Sequence, residues 1–192
     1  MDSIRQNKFY GEFQKILPLL DENKTKMWSE VPVIVEKIKG GDKESETGFA
    51  KLTSEGNIFA LKALHQLIEE KNIFAKELFQ KLLSEKNIYA DDLKKYIEGS
   101  TDKDFICPKE EDIKNNPEGI LRLKCSVRRT QPEAVSLLRK LLSQDDPRAF
   151  SLLKDLILEG NSRAIFVLGQ LVSSDNVKAV NILEEVKKEL EK

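Results

Sequence analysis

Gln131-Pro132-Glu133-Ala134 opens a segment whose pattern recurs three more times before Lys188. The later copies begin with Asp146-Pro147-Arg148-Ala149, Asn161-Ser162-Arg163-Ala164 and Asn176-Val177-Lys178-Ala179, so the period is fifteen residues. When the alanine is numbered position 0, apolar residues recur at positions 1, 3, 4, 7 and mostly 8. In the second copy these are Phe150, Leu152, Leu153, Leu156 and Ile157. This spacing is typical of an α-helix, whereas the apolar residues of a half-buried strand would alternate.

The apolar positions cover a wide arc of each predicted helix. At about 100° per residue they span roughly 160°, which is more than a helix needs to lie on a single surface. We therefore expect each helix to contact neighbours on two sides. Leu138, Leu153 and Leu168 occupy position 4 in successive copies and are predicted to be buried, while Lys154 is predicted to lie at the surface.

The first residues of each copy indicate where its helix begins. Asp146, Asn161 and Asn176 can accept hydrogen bonds from the unpaired amides of a first helical turn, as N-cap residues do. Pro132 and Pro147 would then occupy the first helical position, where proline is tolerated. Helices of about twelve residues remain, rising roughly 18 Å. The few residues between them allow only tight turns, so consecutive helices are expected to be antiparallel.

The same motif occurs earlier in the chain. Its copies there are Asn57-Ile58-Phe59-Ala60, Asn72-Ile73-Phe74-Ala75 and Asn87-Ile88-Tyr89-Ala90. The pattern fails in the turn-rich run from Gly99 to Asp104 and at Pro108. We predict an N-terminal helical cap in residues 1–56, a first repeat array in 57–98, an irregular joint in 99–115 and a second array in 116–192.

These observations predict an all-α fold. The expected architecture is an α-solenoid, a right-handed superhelix of short antiparallel helix hairpins with a fifteen-residue helical unit. In the cap, apolar spacing predicts a helix over residues 2–20, although Gly11 and Pro18 weaken it. The polar run 21–26 predicts a turn, and Ser29 would cap a second helix ending at Gly40-Gly41. Trp28 would pack the start of that helix onto the core.

Pairs of units resemble the short HEAT-like repeats of the phycobilisome-lyase type. Asp146-Pro147-Arg148-Ala149 is the closest match to the turn of those repeats. The resemblance covers residues 116–192 and, more loosely, 57–98. Gly160-Asn161-Ser162-Arg163-Ala164, followed by Leu168-Gly169, is also similar to the core of Sel1-like repeats, whose units are longer. Either resemblance implies an adaptor or scaffold, and neither transfers a catalytic residue to this chain.

Composition narrows the range of partners and locations. Because 32 basic residues nearly balance 33 acidic ones, no global field would concentrate nucleic acid or an anionic membrane, and nucleic-acid binding is unlikely. No segment approaches the eighteen apolar residues of a membrane span, and Met1–Arg5 precedes no apolar signal core. A cytoplasmic location is expected, with export to a host cell as the alternative. Cys107 and Cys125 fit a reduced pair, though a disulfide between them stays open.

The sequence has no recognisable catalytic or metal-binding motif. His65 is the only histidine and lies at the edge of a polar helix face, where a structural role is expected. No phosphate-binding loop, zinc motif or nucleophile elbow occurs. Adjacent carboxylates such as Glu184-Glu185 would point about 100° apart on a helix. We therefore expect a protein that is not an enzyme and needs no cofactor or metal, with another protein or peptide as its partner.

Position within the repeat suggests which surface binds that partner. Outward positions are mostly long and charged in the helices that begin at Asn116, Asp146 and Asn176, including Lys124 and Arg128, which suits a solvated convex face. The helices that begin at Gln131 and Asn161 offer shorter side chains, which suit a concave face. The candidate partner-binding residues there are Phe166, Gln170, Arg139, Lys140, Ser136 and Ser173.

Phe166 and Gly169 allow two interpretations. Another segment of the same chain would cover both residues, or Phe166 would anchor a partner with polar residues at its rim, as interface hot spots do.

Two other functions remain open from the sequence. A repeat-built enzyme or nucleic-acid-binding protein would use a basic patch composed of Lys124, Arg128, Arg129, Arg139, Lys140, Arg148 and Arg163. Stacking aromatics are missing among those residues. The Asn- and Lys-rich composition would also suit a secreted bacterial effector that binds a host protein. The oligomeric state is not determined by any of these patterns.

Overall fold

The computed structural model describes residues 8–100 and 105–191, apart from the side chains of Lys8 and Asn115. Within these ranges the chain forms eleven α-helices and no strand. The helices are α1 Lys8–Lys39, α2 Lys43–Ser54, α3 Ile58–Glu69, α4 Ile73–Ser84, α5 Ile88–Ile97, α6 Glu110–Asn115, α7 Pro117–Arg128, α8 Pro132–Ser143, α9 Pro147–Leu158, α10 Ser162–Ser173 and α11 Val177–Leu190. The prediction of an all-α fold is confirmed.

The helices belong to two compact units. Unit 1 contains α6–α11 with the part of α1 up to Thr25, and unit 2 contains the rest of α1 with α2–α5. Each unit has its own apolar core. Helix α1 contributes Phe13, Ile16 and Leu20 to the core of unit 1. Its later residues Val31 and Val35 belong to the core of unit 2. The boundaries placed from sequence at residues 57, 99 and 116 stay predictions.

Helix α1 corrects the expectation for the N-terminal segment. The polar run 21–26 is not a turn, since it lies inside one helix of 32 residues. Ser29 is not an N-cap either, because its hydroxyl donates to the carbonyl of Lys26, 2.7 Å away. Buried or partly buried residues continue at helical spacing across the polar run, through Asn23 and Met27. The side-chain amide of Asn23 donates to the carbonyl of Leu158 at 3.3 Å, so a polar residue occupies this inward position.

N-cap residues begin the repeat helices as the motif predicts. The side-chain oxygen of Asn161 accepts hydrogen bonds from the amides of Arg163 and Ala164 at 3.1 and 3.0 Å. Asp146 and Asn176 cap α9 and α11 in the same way. Gln131, which begins the first copy, makes no such bond. The capping bonds satisfy amides that a helix cannot pair internally.

Short linkers of three residues, such as Glu70–Lys71–Asn72, separate the repeat helices. The middle residue of each takes a left-handed conformation, with φ of 62° at Lys71, 58° at Thr130 and 61° at Asp145. At the first of these, the amide of Lys71 donates to Ile68 and the amide of Asn72 donates to Leu67. This arrangement is a Schellman motif, which ends one helix and leads directly into the next cap.

Each repeat helix of unit 1 packs against more than its sequence neighbours. Helix α9 contacts α8 and α10, and it also contacts α7 and α11. Leu138, Leu153 and Leu168, all at position 4 of the repeat, are fully buried, as predicted. The wide apolar arc of each helix is thus divided between the helix next along the chain and the helix after that.

Polar side chains link alternate helices at a fixed separation of 31 residues. The ammonium of Lys124 on α7 lies 3.1 Å from a carboxylate oxygen of Asp155 on α9. The guanidinium of Arg128 binds Glu159, and the ammonium of Lys154 on α9 binds Glu185 on α11 at 2.9 Å. We call this series of pairs the ladder. The expectation that Lys124 and Arg128 are solvated is wrong, because their side chains are only 10% and 9% exposed.

Substitutions on α9 test the register of the repeat. Leu153→Ala should lower the free energy of unfolding by about 2–5 kcal/mol, because it removes fully buried methyl groups. Ser151→Ala, at an exposed position of the same helix, should change it by less than about 0.5 kcal/mol. Lys154 is not a suitable control, since its ammonium binds both Glu185 and Glu189. Urea unfolding of the two variants measures both values, and equal losses would contradict this register.

The linker before α8 offers a second test. Thr130 is β-branched and has a φ of 58°, a conformation that costs most residues about 1–2 kcal/mol. Thr130→Gly should therefore stabilise the protein by about 1 kcal/mol, after allowance for the greater entropy of glycine in the unfolded chain. Asp145→Gly should gain less, because aspartate tolerates this conformation better. A fall in the urea midpoint for Thr130→Gly would show that the linker is not left-handed in solution.

Candidate functional site

A groove with a volume of about 570 Å³ lies between α1 and α10 in unit 1. Helix α1 contributes Tyr10, Phe13 and Leu17, which follow one another at helical spacing and so share a face. Helix α10 contributes Ile165 and Phe166 among its apolar residues. Its remaining lining residues are Ser162, Gly169, Gln170 and Ser173. The lining is therefore apolar with a few neutral polar groups, and none of these residues is charged.

Gly169 allows α1 to approach α10 closely. A Cβ atom on Gly169 would lie 2.9 Å from two ring carbons of Phe13, which is closer than real Cβ atoms come to such neighbours. Phe13 is 5% exposed and belongs to the core. Helix α1 is also linked to α11, since the carboxylate of Glu12 lies 3.4 Å from the ammonium of Lys187. Hydrogen bonds from Lys15 first and then Lys187 hold the pKa of Glu12 below its ordinary value.

Phe166 remains outside this contact. Phe166 is 55% exposed, and Tyr10 across the groove is 43% exposed. The interpretation that one segment of the chain covers both Phe166 and Gly169 therefore holds for Gly169 only. The guanidinium carbon of Arg139 lies 5.7 Å from the centroid of the Phe166 ring. That guanidinium also donates to the side-chain oxygen of Gln170 at 2.7 Å.

The structure brings four of the six candidate binding residues together. Phe166, Gln170 and Ser173 line the groove, and Arg139 lies against the first two. The hydroxyl of Ser173 donates to the carbonyl of Gly169.

Lys140 and Ser136 lie outside the groove lining. The ammonium of Lys140 binds Glu110 on α6, and the hydroxyl of Ser136 donates to the carbonyl of Pro132. Sequence reasoning did not identify Tyr10, Phe13 and Leu17 as part of the site, because they come from the other end of the chain.

Most of the residues proposed for a basic patch have acidic partners. Lys124 and Arg128 bind Asp155 and Glu159 in the ladder. Lys140 binds Glu110, and Arg148 binds Asp146 at 2.7 Å. A cation neutralised in this way contributes little to an electrostatic field for phosphates. Arg139 differs from these four, because the side chain that binds it is the neutral amide of Gln170.

The other residues considered from the sequence have structural surroundings. His65 packs edge-on against Tyr96 with their ring centroids 5.3 Å apart, and its imidazole is 3.7 Å from Glu69. Trp28 contacts Phe59 edge-on at 5.0 Å and so packs against the core, although it lies within α1 and not before a cap.

Three further features of the described residues bear on disulfide, metal and membrane chemistry. Cys107 and Cys125 are not joined by a disulfide, and burial raises the pKa of the Cys107 thiol. In the part of the chain that the structure describes, no three metal-binding side chains cluster. Across residues 8–100 and 105–191, none of the helices combines the length and apolar character needed to span a bilayer.

Comparisons with known proteins found no match: no family model, curated protein or solved structure matches this chain. The likeness to HEAT-like or Sel1-like repeats thus remains a resemblance in the motif.

Glu110 provides a pH-dependent test of the contact that holds Lys140. Hydrogen bonds from Lys114, Lys140 and Gln144 lower the pKa of Glu110 from 4.5 to about 2. Because the pKa is lower in the folded protein, the stabilisation from this carboxylate is present above pH 4.5 and is lost as the pH falls toward about 2. Carboxyl-carbon NMR of Glu110 should show a titration midpoint far below 4.5.

Lys140→Ala removes one of the three donors and should move that midpoint upward. Ser136→Ala, on the same helix but without a contact to Glu110, should leave it unchanged. An ordinary midpoint in the unmodified protein would show that α6 and α8 are not linked in this way.

Proposed function

We propose that the protein is a non-catalytic helical-repeat adaptor that binds another protein or peptide through the groove between α1 and α10. The observation that supports this most directly is the exposure of Phe166, an aromatic residue that is 55% exposed and lines an apolar groove. Burying a phenylalanine stabilises a complex by about 1.5–3 kcal/mol. Exposed aromatic residues that line a concavity are the usual anchors of protein interfaces.

The fold proposed for this adaptor is a right-handed α-solenoid of antiparallel hairpins related to HEAT-like repeats. Two features of unit 1 support it. Each central helix contacts both the next helix and the one after that, as α9 does with α10 and α11. The ladder repeats the same separation of 31 residues from pair to pair. Stacked repeats of this kind build extended surfaces for binding other molecules.

The concave face is the proposed location of the groove. Residues with short, uncharged side chains lie outward on α8 and α10, including Ser136 and Ser173. Short side chains suit the side on which helices crowd together. The polar groups that line the groove are hydroxyls and one side-chain amide, which can orient a partner but are weak acids and bases. This chemistry favours binding over turnover.

Phe166→Ala tests the proposal when the protein is purified together with its partners from the cell that produces it. Since the ring is mostly exposed, the substitution should leave the melting temperature within a few degrees, while recovery of the partner with the purified protein should fall strongly. Val177→Ala is the matched control, because Val177 is an exposed apolar residue at 72% on α11 and outside the groove lining. The proposal is wrong if Phe166→Ala unfolds the protein, or if both variants retain every partner of the unmodified chain.

A further inference from the structure

One pair of the ladder differs chemically from the others. Lys124, Arg128 and Lys154 each bind a carboxylate 31 residues later in the chain. Arg139 also binds a side chain 31 residues later, but that side chain is the neutral amide of Gln170. The three other cations are neutralised by their partners. Arg139 keeps its full positive charge in this contact, because guanidinium groups do not lose their proton in proteins.

Arg139 also makes two contacts beside the groove. The oxygen of Gln170 accepts from one terminal nitrogen at 2.7 Å, and the ring of Phe166 lies 5.7 Å from the guanidinium carbon. A guanidinium has five N–H donors in a planar fork. Within the part of the chain that the structure describes, only the bond to Gln170 uses one of these donors. The remaining donors can bind a carboxylate in two parallel hydrogen bonds, the arrangement in which arginine is strongest.

The groove beside this arginine suits a helix better than an extended peptide. Both of its walls are α-helices, whose backbone amides and carbonyls are already paired within the helix. An extended peptide would find no backbone partners there and would place its own unpaired groups on Phe13, Leu17 and Ile165. A helix pairs its own backbone and presents only side chains, as in helix-in-groove recognition.

We propose that the groove binds an acidic amphipathic helix of a partner protein. The apolar face of this helix contacts Phe166 and Tyr10, and an aspartate or glutamate at the edge of that face binds the free donors of Arg139. The inference rests on the proposed function, because it specifies the partner of the same groove. It adds two requirements that the proposed function does not make: the partner segment is helical, and its charge beside the apolar face is negative.

Selection from a displayed library of random peptides tests both requirements. Peptides of about sixteen residues allow about four helical turns. Binders selected on the full protein should show apolar residues at helical spacing with aspartate or glutamate beside them. Phe166→Ala should weaken them by about thirtyfold or more, as expected for an aromatic hot spot. Arg139→Glu should weaken acidic binders by about tenfold or more and strengthen copies in which lysine replaces the acidic residues.

Control variants and circular dichroism complete the design. Arg122→Glu makes the same charge change at a half-exposed position on α7, and Val177→Ala removes an exposed apolar side chain from α11. Neither should alter binding. The selected peptides should become helical when they bind. A proline in the middle of each peptide should abolish binding, because it prevents the helix from forming.

The outcomes separate this inference from the function on which it rests. Binders that require Phe166 but are basic, proline-rich or indifferent to Arg139→Glu would overturn the acidic helix and leave an adaptor that uses the groove. Failure to recover any binder that depends on Phe166 would overturn both.

Discussion

Unit 1 depends on the burial of the leucine at position 4 of each repeat helix, which requires packing against two neighbouring helices. Leu138, Leu153 and Leu168 have no exposed surface, although each lies on a helix of only twelve residues. Helices of this length are marginal by themselves in water, so packing against neighbours has to stabilise them. Each helix therefore requires contacts with the next helix and the one after it. The left-handed linkers and N-caps bring the helices close enough for those contacts.

The groove follows from how α1 meets α10. Phe13, Ile16 and Leu20 of α1 enter the core of unit 1, and the missing side chain of Gly169 lets the ring of Phe13 lie against α10. This contact covers one turn of α10 and leaves Phe166 exposed on the turn before it. Arg139 then reaches that ring and Gln170 through a ladder position. Structural packing and the candidate site thus use adjacent positions of the same helix.

Much of the fold was predictable because its signals are local. The spacing of apolar residues, the N-cap asparagines and the two prolines at first helical positions identified α8 to α11 correctly. Helix α1 was not predicted as one helix, because Asn23 is polar and yet faces inward to bind a backbone carbonyl. The burial of Lys124 and Arg128 was missed for a related reason, since it depends on carboxylates 31 residues away. For the site, Phe166 and Gly169 were visible as departures from the repeat, whereas Tyr10 and Phe13 required the tertiary structure.

The most direct test of this account measures which aromatic rings are open to solvent in the free protein. A soluble paramagnetic probe accelerates the NMR relaxation of exposed ring protons and leaves buried ones nearly unchanged. The account predicts strong effects at Phe166, at 55% exposure, and Tyr10, at 43%, with little effect at Phe13, at 5%. Equal protection of Phe166 and Phe13 would show that the groove is closed in solution and would contradict the account.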